Sequence, residues 1–157
     1  SISSAPSSIH FLVSNTFEDG ADEIDMVLNI GFLKDEKYSE VEDEIREVKE
    51  AMGTHILKVI QENCYLTDVE KRKACELSIA AGADFVKTST GFGTGGSTPE
   101  DIKLMKEVVG NRVQIKAAGG VRDIETAMKY IEMGVTRLGT SSGVSLVSTG
   151  KTKKREY

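Results

Sequence analysis

The chain has 157 residues, 39% of them hydrophobic and 29% charged, which suits one soluble domain with a single core and leaves no room for two sizeable ones. A formal net charge of −5 and a pI near 5.2 argue against a nucleic-acid partner, since no basic face able to neutralise a phosphate backbone appears before the short run at residues 151–155. No apolar run approaches the ~20 residues that span a bilayer, and the Ser-rich start lacks the charged and apolar regions of a signal peptide, so neither membrane association nor export is expected. Cys64 and Cys75 form no CxxC pair, and with His10 and His55 scattered there is no metal-ligand spacing; a reduced, cytoplasmic setting without metal or cofactor fits.

In chain order, residues 1–8 are a low-complexity opening, and residues 1–19 as a whole read as a loose or remnant segment in which 9–13 is either a short strand or a helix end. Residues 23–29, EIDMVLN, form the first strand, with Asp25, Val27 and Asn29 on one face and Ile24, Met26 and Leu28 on the other. A helix follows over 36–52, where Tyr38, Val41, Ile45, Val48 and Met52 recur at helical spacing, and Gly53 ends it. Residues 56–60 are the second strand. Thr67 with Glu70 three residues on is a capping box for a helix whose inner face is Ala74, Leu77 and Ala81. The strand at 85–87 is followed by a loop, and Thr98 with Pro99 starts a helix with Ile102, Met105 and Val109 inward. Residues 113–118 are a fourth strand, Asp123 caps a helix with an apolar face of Ile124, Ala127, Met128 and Ile131, and 136–140 is the last strand. Strict alternation of five strands with helices predicts an α/β fold with a parallel sheet and right-handed crossovers, open or closed. Residues 148–157 form a basic tail, solvated or, with Tyr157, folding over the site.

Three lysines lie inside these apolar strands. Lys58, Lys87 and Lys116 are spaced 29 residues apart, about one strand plus its crossover, which predicts three neighbouring strands each offering a lysine at a similar height. An ammonium in a core is costly, so such a lysine either snorkels to water or has a lowered pKa and is used as an amine nucleophile. A carboxylate in an apolar strand, Asp25, either pairs such a lysine or relays protons for it. The loops after the last strands are rich in glycine and hydroxyls. Gly119, Gly120 and Arg122 precede the helix capped by Asp123, and Gly139, Ser141 and Ser142 follow the last strand, a pattern suited to an anion at the carboxyl face of a parallel sheet. Imine chemistry on a phosphorylated carbonyl compound is the combined expectation.

The motifs EIDMVLNIG, LKVIQENCYLT, ADFVKTSTGFGTGG, IKAAGGVR and GTSSG, in this order, closely resemble the deoxyribose-phosphate aldolase family. The resemblance implies a class I aldolase on a β/α (TIM) barrel that reversibly joins acetaldehyde and glyceraldehyde 3-phosphate without a metal. It implies that Lys87 forms the Schiff base, that Lys116 lowers that amine's pKa and takes part in proton transfer, and that Asp25 is the proton donor and acceptor. Lys58 resembles a supporting member of the charged network, while Gly91, Gly119, Gly120, Arg122, Gly139, Ser141 and Ser142 match positions that hold the sugar phosphate. A soluble homo-oligomer acting on phosphorylated sugar and acetaldehyde is the implied assembly.

The family's barrel has eight strands in about 200 residues or more, whereas this sequence resembles it from the third crossover helix onward. Residues 20–147 are therefore expected to form a partial barrel of about five strands, with two bare edges and an exposed apolar inner face. Truncation, completion by another copy and a decayed relative that at most binds phosphorylated sugars are the competing origins. A different Schiff-base or phosphosugar barrel enzyme shares the generic lysines and glycine loops but not the five linked motifs.

Overall fold

A computed structural model describes residues 8–149. The expected loose start at 1–7 and most of the basic tail, 150–157 with Tyr157, lie outside the described residues. Elements run α1 (Ser8–Glu18), β1 (Glu23–Val27), α2 (Ile30–Lys34), α3 (Tyr38–Met52), β2 (Ile56–Ile60), a 3-10 turn (Asn63–Tyr65), α4 (Asp68–Ala80), β3 (Phe85–Lys87), α5 (Pro99–Val109), β4 (Gln114–Ala118), α6 (Ile124–Glu132), β5 (Arg137–Gly139) and α7 (Gly143–Thr149). The strands are all parallel and pair in chain order, β1-β2-β3-β4-β5. This is an arc of a β/α barrel, with helices on its convex side.

The caps read from sequence are in place. Thr67 accepts from Glu70 N–H while the Glu70 carboxylate accepts from Thr67 N–H, and Thr98 and Asp123 cap α5 and α6. The apolar positions of α3, α4 and α5 pack on the convex face of the sheet, where Leu57, Val59, Val86, Ile115 and Ala117 have almost no exposed surface.

Four expectations are corrected. Residues 8–18, within the segment expected to be loose, form helix α1: Val13 is buried, Ile9 and Phe17 pack beside it, and Phe17 stacks on His55 at 3.9 Å. On α6 the inward residues are Ala127 and Tyr130, and Ile124, Met128 and Ile131 are about half exposed. The helix is anchored by the Tyr130 hydroxyl, which donates to the Ser97 carbonyl at 2.8 Å. That rotation turns its apolar stripe towards Leu138, Leu146 and Val147, where it lines a groove. The concave face is also apolar only in part, because Glu23, Asp25, Lys58, Lys87, Lys116 and Arg137 lie there beside Ile60, Phe85 and Ala118.

Register corrects the expected common height of the three lysines. Lys87 pairs with Lys116, but Lys58 pairs with Phe85, two residues below. Equal spacing in sequence did not place all three lysines in one row of the sheet, because each crossover sets its own stagger. Among the described residues no helix is long and apolar enough to cross a membrane.

Ile45 of α3 has no exposed surface, so Ile45→Ala is expected to cost about 2–5 kcal/mol in urea unfolding. Tyr130→Phe is expected to cost about 1 kcal/mol through the lost bond to Ser97. A Tyr130→Phe protein as stable as the parent would show that the anchor of α6 lies elsewhere.

Candidate active site

Parallel neighbours in register point their side chains to the same side, so Asp25 and Lys58 share one row and Lys87 and Lys116 the next, all on the concave face. Strand stagger brings the two rows together across the arc. Asp25 accepts from Lys58 through Oδ1 at 2.7 Å and from Lys87 through Oδ2 at 2.7 Å, and Lys116 Nζ lies 3.3 Å from the same Oδ2. Lys58 and Lys87 are buried, at 3% and 8% exposure, while Lys116 is partly open. One carboxylate on β1 therefore gathers ammoniums from β2, β3 and β4.

Two residues the sequence reading did not single out complete the network. Glu23 accepts from Lys58 at 2.6 Å and from Arg137 Nη1 at 2.6 and 2.8 Å, and the Arg137 guanidinium lies over the Phe85 ring at 4.8 Å. Their signal was available: Glu23 shares the face of Asp25 at a two-residue period, and Arg137 is level with Lys116.

These contacts set the charge states. Burial alone would raise the Asp25 carboxyl, but the hydrogen bonds from Lys58 and Lys87 and the charges of Lys87 and Lys116 outweigh it and hold it well below the usual carboxylate range. Arg137 first, and then Lys58, hold Glu23 at about 2 against an ordinary 4.5. Burial and the like charge of Lys87 push Lys116 below the usual lysine value, against the pull of Asp25.

The glycine loops meet above this cluster. The Ser97 N–H donates to the carbonyls of Ala118 and Gly119, its hydroxyl donates to Gly119 O at 2.8 Å, and Thr88 exchanges bonds with Ala118 in both directions. A Cβ on Gly96 would stand 2.5 Å from Gly119 O, so these two backbones touch only because both residues are glycine. Gly91 is close by, its Cα 3.9 Å from where a Gly119 Cβ would be. The Thr140 hydroxyl donates to Val121 O at 2.8 Å, tying the loop of Gly119, Gly120 and Arg122 to the one of Gly139, Ser141 and Ser142. A Cβ on Gly139 would stand 3.6 Å from Lys116 Cε. Gly139 ends β5, and the other positions read as phosphate-binding lie on three adjacent loops at the carboxyl end of the sheet, with Arg122, Gly91 and Ser141 exposed. No cluster of three or more His, Cys, Asp or Glu able to hold a metal occurs among the described residues.

Three lysines on one shared carboxylate thus stand beside a glycine-rich rim. A model of the DeoC/LacD family aldolases matches residues 8–146. The chain belongs to that family. It is 57% identical over 152 residues to the deoxyribose-phosphate aldolase of Streptococcus uberis, covering 97% of this chain and 69% of that protein. With the deoxyribose-phosphate aldolase of Carboxydothermus hydrogenoformans it shares 60% identity over 134 residues, 83% of this chain and 59% of the relative. Among solved structures of the family's fold, the aldolase QR15 superposes with a TM-score of 0.84 at 43% identity, over 91% of this chain and 65% of that one. A deoxyribose phosphate aldolase from Aeropyrum pernix, described as a unique tetrameric structure, gives 0.75 at 27% identity, over 94% and 64%. The chain spans roughly three fifths to two thirds of the length of the curated relatives it matches.

Because Glu23 and Asp25 are both held low, their contribution to stability is fully present above the ordinary carboxylate range and is lost as pH falls through the folded-state values. For Glu23 that window runs from 4.5 down to about 2. Glu23→Gln is expected to flatten the fall in unfolding midpoint between those pH values; a slope identical to the parent's would contradict the assignment.

Proposed function

We propose that this chain carries the carbon–carbon lyase chemistry of deoxyribose-phosphate aldolase, the reversible cleavage of 2-deoxy-D-ribose 5-phosphate to D-glyceraldehyde 3-phosphate and acetaldehyde. The observation that carries this reading is the convergence of Lys87 and Lys116 on one oxygen of Asp25. In the proposed sequence Lys87 Nζ, having given up a proton, attacks the aldehyde carbon C1, and loss of water from the carbinolamine gives an imine. Removal of the C3 hydroxyl proton then breaks the C2–C3 bond. The electron pair moves into an enamine on Lys87, and glyceraldehyde 3-phosphate leaves as the aldehyde. Protonation of the enamine carbon and hydrolysis release acetaldehyde and restore the amine.

At rest Asp25 is fully paired and a poor base. Attack draws Lys87 Nζ towards substrate, which opens Oδ2 to take and return protons at the carbinolamine and enamine, with Lys116 as its remaining partner on that oxygen. Lys116, pushed below the usual lysine value, is suited to exchange protons in the same step. Lys58 and Glu23 keep the carboxylate aimed. The three glycine-bearing loops would take the phosphate through backbone N–H groups, the Ser141 and Ser142 hydroxyls and Arg122, as the family resemblance suggests. No further cofactor enters the chemistry. The small, phosphorylated substrates suit a cytoplasmic protein, and the tetrameric Aeropyrum pernix relative supports a homo-oligomer.

Incubation with 2-deoxyribose 5-phosphate or acetaldehyde followed by borohydride should leave a mass adduct on Lys87, absent from Lys87→Arg. Asp25→Asn, verified as folded by circular dichroism, should slow adduct formation by about 10²–10⁴-fold. A folded parent that yields no adduct, or an equal adduct in Lys87→Arg, would refute the lyase reading and leave at most a binder of phosphorylated sugars.

A further inference from the structure

Glu62 is a carboxylate that the proposed chemistry does not use, and its placement is unusual. It sits at the carboxyl end of β2 with φ of 53°, one of two described residues other than glycine with a positive φ, the left-handed region that residues bearing a Cβ avoid. Its exposure is 4%. No ion pair to Glu62 occurs among the described residues' salt bridges; instead it accepts the Thr90 N–H with both oxygens at 3.2 Å and the Thr90 hydroxyl with Oε2. The Thr90 oxygen in turn accepts the Phe92 N–H at 3.0 Å. The peptides flanking Glu62 are fixed to the strand of the candidate nucleophile, Gln61 N–H donating to Lys87 O and Asn63 N–H to Thr88 O, both at 2.9 Å.

The loop is shaped around this carboxylate. A Cβ on Gly93 would stand 3.1 Å from Glu62 Oε1 and 3.0 Å from Cys64 Sγ, and one on Gly95 3.1 Å from Cys64 Cβ. Residues 90–95 therefore wrap a buried carboxyl group, and that group sets the turn Thr90-Gly91-Phe92 through a two-step relay of donors. Beyond it, Gly96 rests on Gly119 of the next loop. The hold on Thr90 is thus continuous with the rim where three loops meet.

We infer that Glu62 is a positioning residue for the anion-binding rim: it fixes the loop after β3, through Thr90, in the conformation that presents Gly91 and abuts Gly119 before any ligand arrives. This rests on the aldolase reading for the identity of the anion, a sugar phosphate, but the hold on the loop does not. Glu62→Gln keeps the shape of the side chain but replaces one of the two acceptor oxygens with an NH2 donor, which then faces the Thr90 N–H donor. Thr90→Val removes the relay to Phe92, and Thr90→Ser restores it.

The first measurement is amide hydrogen exchange, with residues 88–97 compared in parent, Glu62→Gln, Thr90→Val and Thr90→Ser. Exchange at Thr90 and Phe92 should rise about tenfold or more in the first two variants and stay near the parent in Thr90→Ser. The second is affinity for inorganic phosphate, which should weaken about tenfold in the same two variants, with KM for 2-deoxyribose 5-phosphate rising more than kcat falls. Unchanged exchange in Glu62→Gln would overturn the inference, as would freer exchange with undiminished phosphate affinity. A parent that binds no phosphate and gives no Lys87 adduct would instead sink the aldolase reading, and the exchange comparison would still decide whether Glu62 holds the loop.

Discussion

The concave face of this sheet depends on the sharing of one carboxylate, Asp25, among three ammoniums from three other strands. Two of those lysines are almost wholly buried, and an isolated buried ammonium costs several kcal/mol. Each is tolerable only because its partner is a preplaced anion on a neighbouring strand, and the anion in turn is tolerable only because it is surrounded. The side chains that would fill a barrel interior with branched apolar groups are displaced here by a charged lattice. The proposed reactivity draws on the same arrangement, since any step that takes one ammonium away from the carboxylate frees an acceptor oxygen.

Above the lattice the backbone itself becomes the functional surface. Gly96 and Gly119 touch at distances that exclude a side chain, and the Ser97 and Thr88 bonds to Ala118 and Gly119 lock two loops into one rim. Glycines here have a packing duty, and that duty would serve the anion binding proposed for the rim. Loops packed through bare backbone are held rigidly, and rigid N–H groups lose little freedom when an anion is bound.

Much of this was legible in the sequence for identifiable reasons. Alternation of strand and helix, the capping residues Thr67, Thr98 and Asp123, and the lysines inside apolar strands are local signals, and the fold reproduces them. What was not legible is relational. The 29-residue spacing could not reveal that Lys58 lies a row below Lys87, because register is set by crossovers. The apolar stripe of α6 was visible but not its direction, which a single tyrosine hydroxyl fixes from 33 residues away. Helix α1 was hidden because Phe11 and Leu12 interrupt the spacing of Ile9, Val13 and Phe17 with exposed apolar residues. Glu62 carries no local signal in the sequence; its backbone angle and burial set it apart only in the fold.

The pair between Glu23 and Arg137 joins the first strand to the last across 114 residues. The backbone strand pairings all link consecutive strands, so most of the sheet can assemble unit by unit with short loop closures. Only the ion pairs that cross the arc require the whole order of strands to exist first. A contact of this kind that is absent from the folding transition state quickens unfolding when lost, with little effect on the speed of folding. The link that closes the two ends of the arc is in this sense a latch on the lifetime of the folded state.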